Sequence, residues 1–103
     1  MKTPPIPNNI GKRRRITNIQ GKHIYLVIED EITRIQSDAP NKVISFQRIR
    51  FEKTGKIEYR LGYYMIGVKP GARGRWVWGQ YALLIPSSDM KALIKQARIR
   101  KWI

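Results

Sequence analysis

Alternation of apolar and polar positions is the dominant pattern in the middle of the chain. Residues 57–65 carry the clearest example, with apolar side chains at every second position: Ile57, Tyr59, Leu61, Tyr63 and Met65. Because successive strand residues point to opposite faces, this pattern predicts a strand over residues 56–68 with one face in the core. Residues 43–52 form its predicted partner, since Lys53-Thr54-Gly55 between them suits a bulged hairpin loop.

The first third of the chain also has strand character. Residues 15–19 and 22–29 flank Gln20-Gly21, a tight-turn sequence, and predict a first hairpin. Residues 29–37 fit both a helical stripe and a strand. Their β-branched content favours a continued or bent strand. Asp38-Ala39-Pro40-Asn41 then predicts a turn.

The last third changes period from two to about four. Residues 76–86 predict one more strand, placed centrally because both of its faces are apolar near the end. Ser87-Ser88-Asp89 is typical of a helix start, with hydroxyls available for capping. An apolar stripe follows at i, i+3, i+4 and i+7, formed by Met90, Leu93, Ile94 and Ala97. We expect Trp102 and Ile103 to anchor the end of this helix against the sheet.

These elements predict the α+β class: an antiparallel sheet of four to five strands with one C-terminal amphipathic helix packed on one face. A chain of 103 residues suits one domain. We predict that residues 13–103 form this single domain and that residues 1–12 form a basic, proline-containing flexible arm.

Charge is the most unusual property of the sequence. Twenty-one Lys and Arg residues accompany seven Asp and Glu residues, giving a formal net charge of +14. Such an excess destabilises a small compact domain through self-repulsion, and the acids are too few for ion-pair networks. A polyanionic partner offsets that repulsion, and nucleic acid is the densest common one. We therefore expect a small non-enzymatic nucleic-acid-binding protein, with DNA favoured over RNA.

The candidate contacts lie in the arm, on the sheet, in a loop and on the helix. Arg48 and Arg50 are two residues apart and share a strand face, and Arg60 points away from the apolar side of its strand. We expect these arginines on the sheet face opposite the helix, where they could read a major groove. The predicted nucleic-acid-binding residues are Lys12, Arg13, Arg14, Arg15, Arg48, Arg50, Arg60, Arg73, Arg75, Trp76, Lys95 and Arg98.

Aromatic residues and a glycine-rich basic loop add to this set. The loop, residues 69–75, lacks the spacing of a nucleotide-binding P-loop and is interpreted as a mobile basic fingertip. Trp76 and Trp78 share a strand face, and Tyr64 and one of the two tryptophans are the rings expected at the surface, for stacking. The order of Arg73-Gly74-Arg75-Trp76, a strand and then a helix resembles, in architecture alone, the plant-type three-stranded-sheet DNA-binding domains.

Two other functions remain open at this stage. The first is a small phage or mobile-element regulator that binds an acidic surface of a partner protein. The second is a magnesium-dependent nuclease built on Glu29, Glu31 and Glu58. We predict no catalytic residue, cofactor or metal: the only histidine is His23, and the absence of cysteine excludes disulfides and cysteine-ligated zinc.

The sequence also bears on where the protein is located and whether it assembles. No stretch approaches the roughly 18–20 apolar residues that span a bilayer, so we expect no membrane insertion. The first nine residues contain three prolines and no apolar run, unlike a secretory signal. We expect a cytoplasmic protein, associated with the nucleoid or a nucleoprotein complex, and exposed strand edges make a homodimer possible.

Overall fold

The computed structural model describes residues 4–103. It contains a five-stranded antiparallel sheet in which every strand pairs with its neighbours in sequence. The strands are β1 (Arg13–Thr17), β2 (His23–Gln36), β3 (Ala39–Phe51), β4 (Ile57–Ile66) and β5 (Trp76–Trp78). A short 3-10 turn, Pro70–Ala72, precedes β5, and helix α1 (Ser87–Ile99) follows it. The predicted α+β class is confirmed, and neither helical segment of this part of the chain is long and apolar enough to cross a membrane.

Strand register gives the sheet two distinct faces. Glu31, Gln47 and Arg60 pair across β2, β3 and β4 and therefore share one face, which we call the pocket face. Ile32 and Phe46 pair on the opposite side, which we call the helix face because α1 packs there.

A bulge in β2 decides which acidic residues reach which face. The register shifts between Ile28 and Asp30, so Glu29 is the inserted residue. Ile28 and Glu31 consequently both lie on the pocket face, whereas Asp30 pairs with Arg48 on the helix face. The predicted continued or bent strand over residues 29–37 is confirmed, and the bulge is its bend.

The main apolar core lies between α1 and the helix face. Its buried members are Ile32, Ile44, Leu93, Ala97 and Trp102. Leu93 and Ala97 belong to the predicted helical stripe. A second cluster, Leu26, Ile28 and Ile49, is buried on the pocket face and is covered in part by Ile16 of β1.

A tight turn at the end of α1 returns the chain to the sheet. Lys101 adopts a left-handed conformation with a φ of 60°. Its N–H donates to the carbonyl of Arg98, and the N–H of Trp102 donates to the carbonyl of Ala97 at 2.8 Å, a Schellman motif. Trp102 then packs edge-on against Phe46 at 5.2 Å between ring centroids, which confirms its anchoring role. Ile103 does not share this role, because it is 64% exposed.

The predicted helix start at Ser87, with Asp89 as the acid of the first turn, is confirmed, but the predicted cap is not formed. The N-cap of the helix is Pro86, and no side chain caps it, so capping by the serine hydroxyls is wrong. Asp89 is instead fully buried and accepts hydrogen bonds from Arg34 Nε at 2.6 Å and from both the N–H and the hydroxyl of Ser37. These bonds hold the start of α1 to the β2–β3 turn and lower the pKa of Asp89 below its usual range.

The predicted central strand over residues 76–86 is also wrong. β5 has three residues and forms an edge of the sheet. Gly79 lies so close to the Tyr63 ring that a Cβ atom there would overlap it. The N–H of Tyr81 bonds to the Tyr63 hydroxyl rather than to a neighbouring strand. The chain thus leaves the sheet and carries Leu83 and Ile85 to the helix core, which accounts for their apolar character.

Replacement of Asp89 by Asn tests the link between helix and turn. We expect the melting temperature at pH 7 to fall by about 5 °C or more, because Arg34 and Ser37 lose a buried acceptor. Since the folded-state pKa of Asp89 is lowered, its stabilisation is present above the usual carboxyl pKa of 3.8 and is lost as pH falls toward the lower folded value. D89N should therefore lose less stability than the wild type across that acidic interval.

Thermal unfolding between pH 2 and pH 7, followed by circular dichroism, measures both effects. Glu58→Gln is the matched control, because Glu58 forms an exposed ion pair with Lys56. Equal melting temperatures for D89N and E58Q at every pH would contradict the assignment.

Candidate functional site

A pocket of about 460 Å³ lies on the pocket face. The sheet curls around it, so that both edge strands reach it: its walls include Arg14 and Ile16 from β1, Arg60 and Tyr64 from β4, and Trp76 and Trp78 from β5. Cations and aromatic rings from distant parts of the sequence are thereby brought into one concave site.

A buried carboxylate lies beside the pocket. Glu31 is 6% exposed, and its Oε2 accepts hydrogen bonds from Ser45 Oγ at 2.6 Å, Gln47 Nε2 at 2.7 Å and the Tyr64 hydroxyl at 3.0 Å. The N–H of Asn9 approaches Oε1 at 3.4 Å. Within residues 4–103 the Glu31 carboxylate makes no ion pair. Neutral donors alone satisfy this charge.

Glu31 determines the orientation of the Gln47 amide. A carboxylate only accepts hydrogen bonds, so the NH₂ group of Gln47 must face Glu31 and its oxygen must face away. That oxygen accepts from Arg60 Nε at 2.9 Å and from a terminal nitrogen of Arg60 at 2.7 Å. The Arg60 guanidinium is therefore held by two bonds to a neutral amide.

The Tyr64 hydroxyl transmits the same constraint to Asn9. Because this hydroxyl gives its proton to Glu31, it accepts from Asn9 Nδ2 at 2.5 Å. The Asn9 oxygen then accepts from a terminal nitrogen of Arg14 at 3.1 Å. Burial and the neighbouring Glu31 carboxylate raise the pKa of Tyr64, which keeps its hydroxyl protonated as a donor.

Two of the arginines that line the pocket, Arg14 and Arg60, are held by neutral amide oxygens. In the part of the chain that the structure describes, Arg14 and Arg60 form no ion pair. Burial lowers the pKa of Arg60, an effect opposed by nearby Tyr64 and Glu31, and an arginine remains protonated at physiological pH. Two positioned guanidinium groups without an ion-pair partner in residues 4–103 therefore lie on the same concave surface.

A glycine sets the position of the Trp78 ring. The ring lies over Gly62, where a Cβ atom would overlap it. Tyr64 contacts the ring edge-on at 5.0 Å between centroids, and the Arg60 guanidinium lies 4.7 Å from the ring centroid. Trp78 nevertheless stays 37% exposed. Gly62 and the Arg60 guanidinium both lie against the indole ring, and the ring lines the pocket.

The N-terminal arm contacts the sheet along its described length. The carbonyl of Pro4 accepts a hydrogen bond from Trp76 Nε1 at 3.0 Å. Gly11 donates to the carbonyl of Ile28, whose N–H donates to the carbonyl of Lys12. These bonds, with those of Asn9, hold residues 4–12 beside the pocket; residues 1–3 of the predicted arm lie outside the described residues. The flexibility of the arm stays a prediction.

The pocket brings together only part of the predicted site. Arg14, Arg15, Arg60 and Trp76 line it. Lys12 and Arg13 adjoin it along the chain, although Arg13 forms an exposed ion pair with Glu52 at 2.7 Å. That contact raises the pKa of Arg13 and lowers the pKa of Glu52.

The other predicted residues lie elsewhere. Arg48 and Arg50 share a face, as predicted, but it is the helix face, and both pair with Glu29. The expectation of one arginine face is therefore wrong, because Arg60 is on the opposite side of the sheet. Exposed residues of the β4–β5 loop and of the outer side of α1 complete the set: Arg73, Arg75, Lys95 and Arg98.

Sequence reasoning missed the residues that hold the site. Asn9 and Gln47 are not among the predicted site residues, and Glu31 appears there only within the nuclease hypothesis. Tyr64 was expected at the surface but is 6% exposed. The shared face of Trp76 and Trp78 is confirmed by their pairing with Ile66 and Tyr64. Strand alternation could have placed Gln47 on the same sheet face as Ser45, because the two residues are two positions apart in β3.

The three carboxylates of the nuclease hypothesis contact different partners. Glu29 pairs with arginines on the helix face, Glu31 lies in the network described above, and Glu58 pairs with Lys56 at 3.4 Å. Residues 4–103 contain no group of three or more His, Cys, Asp or Glu side chains that could hold a metal ion.

Replacing Tyr64 by Phe tests the network. We expect the free energy of unfolding to fall by about 1–3 kcal/mol, because Glu31 and Asn9 lose a buried partner. A raised folded-state pKa means that Tyr64 contributes stability below its usual pKa of 10.0, which is lost as pH rises through the higher folded value. Y64F should lack that alkaline component.

Urea unfolding at pH 7 and above pH 10 measures both quantities. Tyr81→Phe is the control, since Tyr81 is 83% exposed. The network would be ruled out as a stabilising unit if Y64F and Y81F matched at both pH values.

The arrangement combines anion-binding groups with an accessible indole ring. Guanidinium groups bind phosphate or carboxylate oxygens through paired N–H donors, and the ring offers a surface for stacking. Comparison of the chain with protein-family models, with curated proteins and with solved structures found no match.

Proposed function

We propose that the protein is a small non-enzymatic nucleic-acid-binding protein that prefers DNA to RNA. The observation that carries this proposal is the manner in which Arg14 and Arg60 are held. Neutral amide oxygens position both guanidinium groups without cancelling their charge. A polyanion that enters the pocket gains two oriented cations at little cost in side-chain ordering.

The division of charge between the two sheet faces supports the same surface. On the helix face, Glu29 contacts Arg48 and Arg50, and Asp30 contacts Arg100 at 2.8 Å. On the pocket face, the buried acid Glu31 accepts hydrogen bonds from neutral donors. The pocket and the neighbouring basic run of β1 are therefore a candidate surface for an external anion.

The proposed contact differs from the major-groove arrangement expected from the sequence. A strand face that reads a groove presents several side chains outward from a flat or convex sheet. The pocket face is concave, and its arginines converge. We therefore infer that phosphate and ring contacts within the pocket provide affinity, with Lys12 to Arg15 as a flanking basic edge.

A partner protein with an acidic surface is the competing function. Carboxylates would also bind Arg14 and Arg60, but they carry no planar group that could contact the exposed part of the Trp78 ring. The adjacency of an accessible indole and a guanidinium, 4.7 Å apart, favours a ligand that carries both a phosphate and a planar base.

The double variant Arg14→Gln, Arg60→Gln tests the proposal. We expect it to weaken DNA binding by about tenfold or more. The slope of log K against log salt should fall in magnitude by about 1–2, because a protein with two fewer cations at the site displaces fewer counterions from the phosphates. Fluorescence anisotropy of labelled DNA and RNA oligonucleotides, across 50–300 mM salt, provides both values.

Lys53→Gln, Lys91→Gln is the matched control, because it removes the same charge from an exposed hairpin loop and from the exposed side of α1. We expect it to change affinity by less than about threefold. Equal losses in both double variants would show that only net charge matters. Absence of binding to DNA and RNA at 50 mM salt would contradict the proposed function, and recovery of one stoichiometric protein after nuclease treatment would favour the acidic partner.

A further inference from the structure

We propose that the pocket binds a single unpaired nucleotide of a DNA strand, with its base against Trp78 and its phosphate on Arg14 and Arg60. This inference rests on the proposed function and specifies the part of the nucleic acid that enters the site.

Pocket size selects an unpaired nucleotide. Sites of about 300–1,000 Å³ enclose ligands of drug-like size, which is also the size of one nucleotide. The pocket, at about 460 Å³, falls in that range. Duplex DNA, whose major groove alone is about 12 Å wide, is too broad to enter. A strand end, a single strand or an extruded nucleotide can enter.

The phosphate position follows from the unused donors of the two arginines. Arg60 bonds to Gln47 through Nε and one terminal nitrogen, which leaves its other terminal nitrogen free of the bonds within residues 4–103. Arg14 bonds to the Arg13 carbonyl and to Asn9 through its two terminal nitrogens, which leaves Nε. Both guanidinium groups therefore retain N–H donors for phosphate oxygens.

The base position follows from the seating of the rings. Trp76 is tied to the Pro4 carbonyl and is half-buried, whereas Trp78 is the more exposed of the two. Gly62 fixes the Trp78 ring by lying directly beneath it. The part of the Trp78 ring that neither Gly62 nor the Arg60 guanidinium covers is therefore a preformed surface on which a base can stack.

The pocket amides are already committed to the protein. The Gln47 oxygen accepts two bonds from Arg60, and its NH₂ group donates to Glu31. The Asn9 oxygen accepts from Arg14, and its NH₂ group donates to Tyr64. Amides that are occupied in this way do not read base edges, so recognition by stacking should be tolerant of base identity.

Competition binding with the full chain tests the inference. Tryptophan fluorescence and anisotropy would follow a labelled 10-nucleotide thymidine oligomer against the matching duplex, thymidine 5′-monophosphate, thymidine and inorganic phosphate. We expect the single strand to bind at least about tenfold more tightly than the duplex. The mononucleotide should compete more strongly than either the nucleoside or phosphate alone. Adenine and cytosine oligomers should bind within about fivefold of the thymidine oligomer.

Substitutions at the ring provide the second measurement. Trp78→Ala should weaken single-strand binding by about tenfold or more, and Trp78→Phe should restore most of it, because phenylalanine retains a stacking face. Tyr81→Ala is the control, as an exposed ring outside the pocket lining. Trp78→Phe also covers the case in which Trp78→Ala does not fold.

The outcomes separate this inference from the proposed function. Duplex binding as tight as single-strand binding, or unchanged affinity in both Trp78 variants, would overturn the unpaired-nucleotide site while leaving nucleic-acid binding intact. Competition by phosphate equal to that by the mononucleotide would overturn base stacking. Loss of all oligonucleotide binding in the wild type would overturn both.

Discussion

The Glu31 carboxylate is the constraint from which the site follows. A buried charge must find partners, and a cation is the usual one. Here Ser45, Gln47 and Tyr64 supply neutral donors instead. These donors must point toward Glu31. The amide oxygens of Gln47 and Asn9 therefore face Arg60 and Arg14. One acidic group, without an ion pair of its own within residues 4–103, orients two cations that it does not neutralise.

The fold supplies this network from separate segments. Glu31 comes from the long second strand, Gln47 from the third and Tyr64 from the fourth, and Asn9 reaches them from outside the sheet. Strand pairing sets the spacing of the first three. The helix stabilises the opposite face, where acids and arginines pair conventionally. The helix core and the pocket therefore lie on opposite sides of one sheet.

Much of the architecture could be predicted because local signals agreed with one another. Residues 57–65 alternate between apolar and polar positions, and the stripe through Leu93 and Ala97 has helical spacing. The structure confirms both elements as β4 and α1. The segment after Trp78 misled because Leu83 and Ile85 are apolar for a different reason: they cover the helix core from an irregular path. Propensity does not distinguish a buried strand from a buried connection.

The site was less predictable, because it depends on which sheet face each side chain lies on and on which group donates each hydrogen bond. Arg48 and Arg60 were placed together, although no sequence pattern relates the parity of one strand to that of the next. Register supplied that relation. The roles of Gln47 and Asn9 are further from the sequence still, since an amide acquires its orientation only from the partners that folding brings to it.

The bulge at Glu29 makes the facing of the β2 side chains depend on the number of residues in the strand. Residues before and after the bulge obey opposite parity rules, because one extra residue is accommodated between Ile28 and Asp30. Deleting that residue would leave the composition of the strand almost intact but exchange inside for outside in one half of it. Either Glu31 would turn toward the apolar helix core, or Ile28 would leave its own cluster. For this protein, an insertion or deletion of one residue is therefore a larger change than most substitutions, and related chains that keep the site should keep the length of this strand.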